Sequence, residues 1–188
     1  MKRSAGFTRL EIDIVDRALY RSKPNLYPYY HMRQKQSSKQ YLLKVKLKGN
    51  RRIWRLLVLR GDQTLNDLHE TIYLAFDRYD EHLYSFYFPK APTRQQGFDS
   101  QPKEYTSPNS IGERSYFDDP KRFNAARTIL DGLHLTVGQT FEYLFDYGDM
   151  WWHELKVVGI EPIDPKSQLP IIAERHGESP QQYPPNDE

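Results

Sequence analysis

Residues 140–157 read TFEYLFDYGDMWWHELKV, with large apolar and polar side chains alternating on both sides of a turn. A period of two sends successive side chains to opposite faces of a strand, so the stretch reads as an aromatic β-hairpin. Loop length sets the register, and the register decides which face each residue occupies. A two-residue loop at Tyr147-Gly148 would gather Asp146, Asp149 and His153 beside Glu142 on one polar face. A three-residue loop, Asp146-Tyr147-Gly148 with its glycine left-handed, fits a G1-bulge hairpin. It pairs Phe145 with Asp149, Tyr143 with Trp151 and Phe141 with His153. It also collects Phe141, Tyr143, Phe145, Trp151, His153, Leu155 and Val157 on one face, leaving Glu142, Trp152, Glu154 and Lys156 on the other. This register respects the binary pattern and is the one expected.

Asp149 and His153 then share the aromatic face, four positions apart. Two readings compete. In the structural one, Asp149 caps the bulge through backbone amides and His153 makes a satisfied hydrogen bond in the core. In the functional one, His69, His82, Asp149, Trp151 and His153 form a ligand or metal pocket, because carboxylates and imidazoles are metal ligands and proton carriers. No HExxH helix, nucleophile elbow or P-loop is present, so no catalytic residue is assigned and no cofactor is implied. The chain has no cysteine, which excludes disulfides, a thiol nucleophile, a thiolate zinc site and an iron–sulfur cluster.

Residues 41–48 alternate as strictly. Leu43, Val45 and Leu47 point one way and Lys44, Lys46 and Lys48 the other, which predicts a half-buried strand. Gly49-Asn50 turns the chain and residues 53–59 return as a second strand. The net charge of +2 conceals a segregation here. Residues 33–60 hold ten Lys/Arg and no acid, whereas residues 61–160 hold nine Lys/Arg against sixteen acids. Lys44, Lys46, Lys48, Arg51, Arg52 and Arg55 are therefore the candidate nucleic-acid contacts, for DNA or RNA, by charge alone. The plainer reading is a solvated strand face whose lysines discourage edge pairing.

Between the hairpins, Thr64 is an N-cap candidate with Asp67 three residues on, and Leu65, Leu68, Ile72, Ala75 and Phe76 follow at helical spacing through about Asp77. Residues 83–88 read as a further strand beside the first hairpin, and 124–133 as a short helix capped by Gly132 or ended by Gly138. Residues 89–123 form a long Pro/Gly/Ser/Gln-rich loop. The expected organisation is a basic N-terminal extension over 1–38, a domain over 39–160 and an irregular, acidic, Pro-rich tail over 161–188. The extension holds a Pro/Tyr-rich stretch over 24–30. Its amphipathic patch at Leu10, Ile14 and Ala18 suits a protein partner. No apolar run reaches the ~18 residues that span a bilayer, and residues 1–17 lack a signal-peptide core. A cytoplasmic protein without membrane contact is expected. Its oligomeric state is left open.

Three blocks carry a family resemblance. They are Ile53-Trp54-Arg55, then Thr64-Leu65-Asn66-Asp67-Leu68-His69 with Asp80-Glu81-His82-Leu83-Tyr84-Ser85-Phe86, and Phe141-Glu142-Tyr143 through Asp146-Tyr147-Gly148-Asp149-Met150-Trp151-Trp152-His153-Glu154. The chain resembles the plasmid ORF-3-like family over about residues 40–160. The resemblance implies an α+β domain and no mechanism. Some relatives bear a resolvase-like label or lie in mobile elements, which implies an association with DNA, although this chain has no recombinase signature. Many relatives end in Cys-containing, Pro-Pro-Glu-Asp-rich segments, whereas this chain ends Pro184-Pro185-Asn186-Asp187-Glu188. The expected fold is α+β: a mixed, largely antiparallel sheet built from two β-hairpins plus one strand. One main amphipathic helix and one or two short helices pack on it. The expected function is a binding or accessory module, with a metal- or ligand-dependent enzyme as the alternative.

Overall fold

A computed structural model describes residues 37–89, 102–110, 122–164 and 167–183. The amphipathic patch at Leu10, Ile14 and Ala18 and the stretch over 24–30 lie outside the described residues. Among the described residues the fold is α+β, with one eight-stranded mixed sheet, a single α-helix and short 3-10 turns. The strands are β1 (Lys39–Leu47), β2 (Trp54–Arg60), β3 (Tyr84–Phe88), β4 (Lys103–Thr106), β5 (Arg122–Asn124), β6 (Thr140–Phe145), β7 (Trp151–Pro162) and β8 (Ile171–His176). Their spatial order is β5-β4-β3-β6-β7-β1-β2-β8. Among the described strands, β4 and β5 alone run parallel.

The two expected hairpins form and join side by side through β7 and β1. Alternation holds on β1: Tyr41, Leu43, Val45 and Leu47 are buried, and the lysines face out. The helix α1 (Leu65–Ala75) starts at Thr64 in the anticipated capping box. The Thr64 hydroxyl oxygen accepts from the Asp67 amide at 3.1 Å, and the Asp67 carboxylate accepts from the Thr64 amide at 2.6 Å. Leu65, Leu68, Ile72 and Ala75 form its buried stripe and pack, with Phe76, into one core with residues of β1, β2, β3, β6 and β7.

The aromatic hairpin keeps the expected faces in a different register. Phe145 pairs with Trp151, Tyr143 with His153 and Phe141 with Leu155. The connection is five residues long, 146–150, because Asp146 and Met150 take the left-handed conformation expected of Gly148. The Asp146 carboxylate accepts from the Gly148 amide at 2.8 Å, and the Met150 amide reaches back to the Asp146 carbonyl at 2.8 Å. Lengthening the loop by two residues preserves side-chain parity, so Trp151 and His153 remain on the aromatic side.

Four other expectations change. β3 pairs with β6 and β4, away from the first hairpin. Residues 124–133 form two 3-10 turns after β5, since the Asn124 side chain caps a single turn and Thr128 is already extended. The tail contributes β8, which pairs with β2, so it extends the sheet where an irregular segment was expected. The segment expected as one loop contributes β4 and β5.

Candidate binding site

The C-terminal end of α1 builds the site. Phe76 caps the helix, Asp77 adopts φ +56°, and the amides of Asp77 and Arg78 return to the carbonyls of Leu74 and Tyr73. This is a Schellman ending with aspartate at the position where glycine is usual. It throws Arg78 onto the aromatic hairpin, where its guanidinium carbon lies 3.8 Å above the Trp151 ring. Arg78 is 6% exposed and donates from Nη1 to the Pro180 carbonyl at 3.0 Å.

Two residues along β7 from Trp151 lies His153, 1% exposed. Its Nδ1–H donates to the Trp151 carbonyl at 3.0 Å, which leaves Nε2 as a bare acceptor in the neutral ring. Burial pulls the His153 imidazole down to about 3, and the charge of Arg78 acts in the same direction. Phe76 and Tyr143 flank the ring at 4.7 and 5.4 Å. Burial likewise lowers Arg78 below the ordinary guanidinium value.

Four polar atoms of these side chains are buried and have no hydrogen-bond partner: Arg78 Nε and Nη2, Trp151 Nε1 and His153 Nε2. Natural interiors pair almost every buried polar group, so four such atoms on three neighbouring side chains call for an explanation.

The remaining expected pocket residues divide. His69, on α1, shares a 2.7 Å hydrogen bond with the Tyr143 hydroxyl and stacks on Tyr84 at 3.7 Å. Burial holds its imidazole down to about 3. It therefore lies on the same aromatic core as His153, with Tyr143 in contact with both. His82 lies at the rim, where its Nε2 is 2.7 Å from the Tyr183 hydroxyl and 3.5 Å from the carboxylates of Asp80 and Asp146. Asp149 leaves the aromatic face: the longer loop carries it out to solvent, so the expectation that it shares that face with His153 is corrected. Among the described residues, no group of three or more His, Asp or Glu is arranged to hold a metal. Arg78, Gln182 and Tyr183 escaped the sequence reading. No spacing rule marks them, and only the tertiary path of residues 177–183 brings them together.

The basic hairpin is rearranged by its neighbours. In register, one row crosses the sheet as His176, Trp54, Lys46, Glu154, Glu142, Tyr87, Glu104 and Arg122. Lys46 pairs with Glu154 at 3.6 Å, Lys48 bonds Glu142, and Lys44 sits 3.5 Å over the Trp54 ring. Arg51 and Arg52 are exposed in the β1–β2 turn. Arg55 must be removed from the expected nucleic-acid contacts. It is 1% exposed and faces the helix, where main-chain carbonyls and Ser179 hold its guanidinium.

No helix among the described residues is long and apolar enough to cross a membrane. Comparison with curated proteins finds no match. Among solved structures, a crystal structure of a protein of unknown function from Methanosarcina mazei Go1 is similar at 21% identity with a TM-score of 0.60. The similarity covers 76% of this chain and 72% of that one, and at this identity it speaks to the fold alone. A family model described as plasmid pRiA4b ORF-3-like protein matches residues 39–187, which takes in β8 and residues 177–183 as well as the two hairpins. The chain belongs to the plasmid pRiA4b ORF-3-like family.

Proposed function

We propose that the protein is a binding module whose site lies where the end of α1 meets the aromatic hairpin, around Arg78, Trp151 and His153. One observation carries this reading: three N–H donors and one imidazole lone pair are buried there without partners. Leaving such groups unmade costs about 1–3 kcal/mol each, and more for a charged donor. A bound molecule that bonds them recovers that cost. Catalysis by His153 is disfavoured, because an imidazole held near 3 is a poor base at neutral pH.

The test uses the indole N–H signals of the three tryptophans in a fragment screen. The expected result is a compound that shifts the Trp151 signal and leaves Trp54, on the opposite face, in place. A diverse library in which nothing moves Trp151 would refute the reading.

A second reading takes the other sheet face as a nucleic-acid surface. It is favoured by two indoles, Trp54 and Trp152, each lying under a lysine ammonium, with Arg51 and Arg52 exposed nearby. Against it stand Glu154 and Glu142, which occupy Lys46 and Lys48. On this reading, replacing Glu142 and Glu154 together by Gln tightens DNA or RNA retention in a gel shift and steepens its salt dependence. No retention of either by wild type or variant at low salt sinks it.

A further inference from the structure

We propose that the seam binds the carboxylate of a compact α-hydroxy acid, with Arg78 and Trp151 taking the carboxylate and His153 taking the hydroxyl. This rests on the binding-module reading above and names the ligand class for the same site.

The donors define the first half. A guanidinium offers its side-on fork through Nε–H and Nη2–H, two parallel donors spaced for the two oxygens of a carboxylate. In Arg78 that edge is the unpartnered one, whereas Nη1 is committed to Pro180. Trp151 Nε1 adds a third N–H from the ring beneath the guanidinium. The donor set is cationic and no described carboxylate forms an ion pair with it, so an anion neutralises a charge that the fold leaves buried. Arg55 provides the internal contrast: it is equally deep, and its Nε, Nη1 and Nη2 all meet protein acceptors. The chain saturates a buried arginine where it serves structure.

The acceptor defines the second half. His153 Nδ1–H is spent on a carbonyl, so Nε2 accepts only and asks the ligand for a donor. An ammonium donor would set a second positive charge beside Arg78. A hydroxyl supplies the hydrogen without that repulsion. The neighbours of these groups are aromatic, Phe76 and Tyr143 against His153 and Trp151 beneath Arg78, which favours a small carbon skeleton on the ligand.

The probes are L-lactate, propionate, lactamide and alanine, each titrated into full-length protein. The readouts are the Trp151 indole N–H signal and thermal stabilisation. L-lactate is expected to shift Trp151. Propionate, which lacks the hydroxyl, and lactamide, which lacks the charge, are each expected to bind at least tenfold more weakly, and alanine is expected not to bind. Arg78→Lys keeps a cation but loses the fork, and is expected to abolish lactate binding while circular dichroism and the thermal transition show the fold intact. His153→Asn is expected to remove the preference for lactate over propionate. Propionate binding as tightly as lactate overturns the hydroxyl assignment, and lactamide binding as tightly overturns the anion assignment, while both leave the binding site standing. No response to these four probes, together with a fragment of another class that does move Trp151, overturns the ligand class alone. No response to any compound overturns the site itself.

Discussion

Arg55 donates from Nε to the main-chain carbonyl of Ala75, the last residue of α1, across 2.6 Å. Arg175, its register partner on β8, donates to the same carbonyl at 2.9 Å. Two sheet arginines thus complete the C-terminus of the helix, the end at which the helix dipole favours cations. Arg55 also donates to the carbonyls of Trp54, His176 and Gly177 and to the Ser179 hydroxyl, so it ties helix, sheet edge and the chain after β8 to one point.

Replacing Arg55 by Met keeps the length of the side chain and strands its buried acceptors. The expected loss is roughly 3–5 kcal/mol in urea unfolding, whereas Arg175→Ala, at a more exposed position, costs under about 1 kcal/mol. Equal midpoints for wild type and Arg55→Met would contradict the stapling role.

His69 and His153 predict an acid-sensitive fold. Both imidazoles are held down to about 3 by burial, against 6.5 for the free side chain. Between those values the unfolded chain binds two protons that the native state refuses, so stability falls as pH drops. Each histidine contributes a slope of up to about 1.4 kcal/mol per pH unit once the pH lies below 6.5. Between pH 6.5 and 5 most carboxylates stay ionised, so the slope there reports mainly on histidine. Urea midpoints are expected to fall steeply across that window, and His69→Gln or His153→Asn to flatten the profile. A pH-independent midpoint from 7 to 5 in wild type is incompatible with two neutral buried imidazoles.

The sequence exposed what depends on local periodicity. The alternation at Lys44, Lys46 and Lys48 and the Thr64–Asp67 spacing each describe a few consecutive residues, and both appear as expected. The faces of Tyr143, Trp151 and His153 survived a register error because the loop lengthened by an even number of residues. That lengthening was hidden because two non-glycine residues, Asp146 and Met150, accept positive φ where glycine stood nearby. The run Ile171–His176 lacks a period, and its strand character comes from pairing with β2. Charge was misleading for a related reason: Glu142 and Glu154 lie about a hundred residues from the lysines they neutralise. Arg78 and its unpartnered fork depend on the aspartate-ended helix and on residues 177–183, neither of which has a local signature.

Gly61 is required by a side chain rather than by its own backbone angles. A Cβ at this position would lie 2.2 Å from Asp131 Oδ1. That carboxylate accepts from the Tyr41 hydroxyl at 2.8 Å and from the Ser37 hydroxyl at 2.7 Å. Gly61→Ala is expected to displace it and to cost about 2 kcal/mol, chiefly by leaving the buried Tyr41 hydroxyl unpaired. In an Asp131→Ala background the same substitution is expected to cost at least 1 kcal/mol less, a coupling that a double-mutant cycle in urea measures. Strict additivity would show that the glycine serves something else.

Beside Arg55 and Arg78, the strap over 177–183 is fastened by Gln182, which is 1% exposed. Its Oε1 accepts from the amides of Tyr79 and Asp80 at 3.0 and 3.2 Å, and its Nε2 donates to the Asp80 carbonyl at 2.9 Å. Tyr183 adds an outer bond, donating its hydroxyl to the Asp80 carboxylate at 2.7 Å. Arg78 bonds the Pro180 carbonyl within the same strap. Gln182→Ala leaves two amides and a carbonyl unpaired, a local cost of about 1–3 kcal/mol. Amide exchange is therefore expected to quicken by roughly 10- to 100-fold at Tyr79 and Asp80. The amides of β1 and β7, at the centre of the sheet, are expected to keep their wild-type protection. A uniform rise across all strands would mean that Gln182 supports the whole fold, and no change at Tyr79 and Asp80 would mean that its hydrogen bonds are not what holds the strap down.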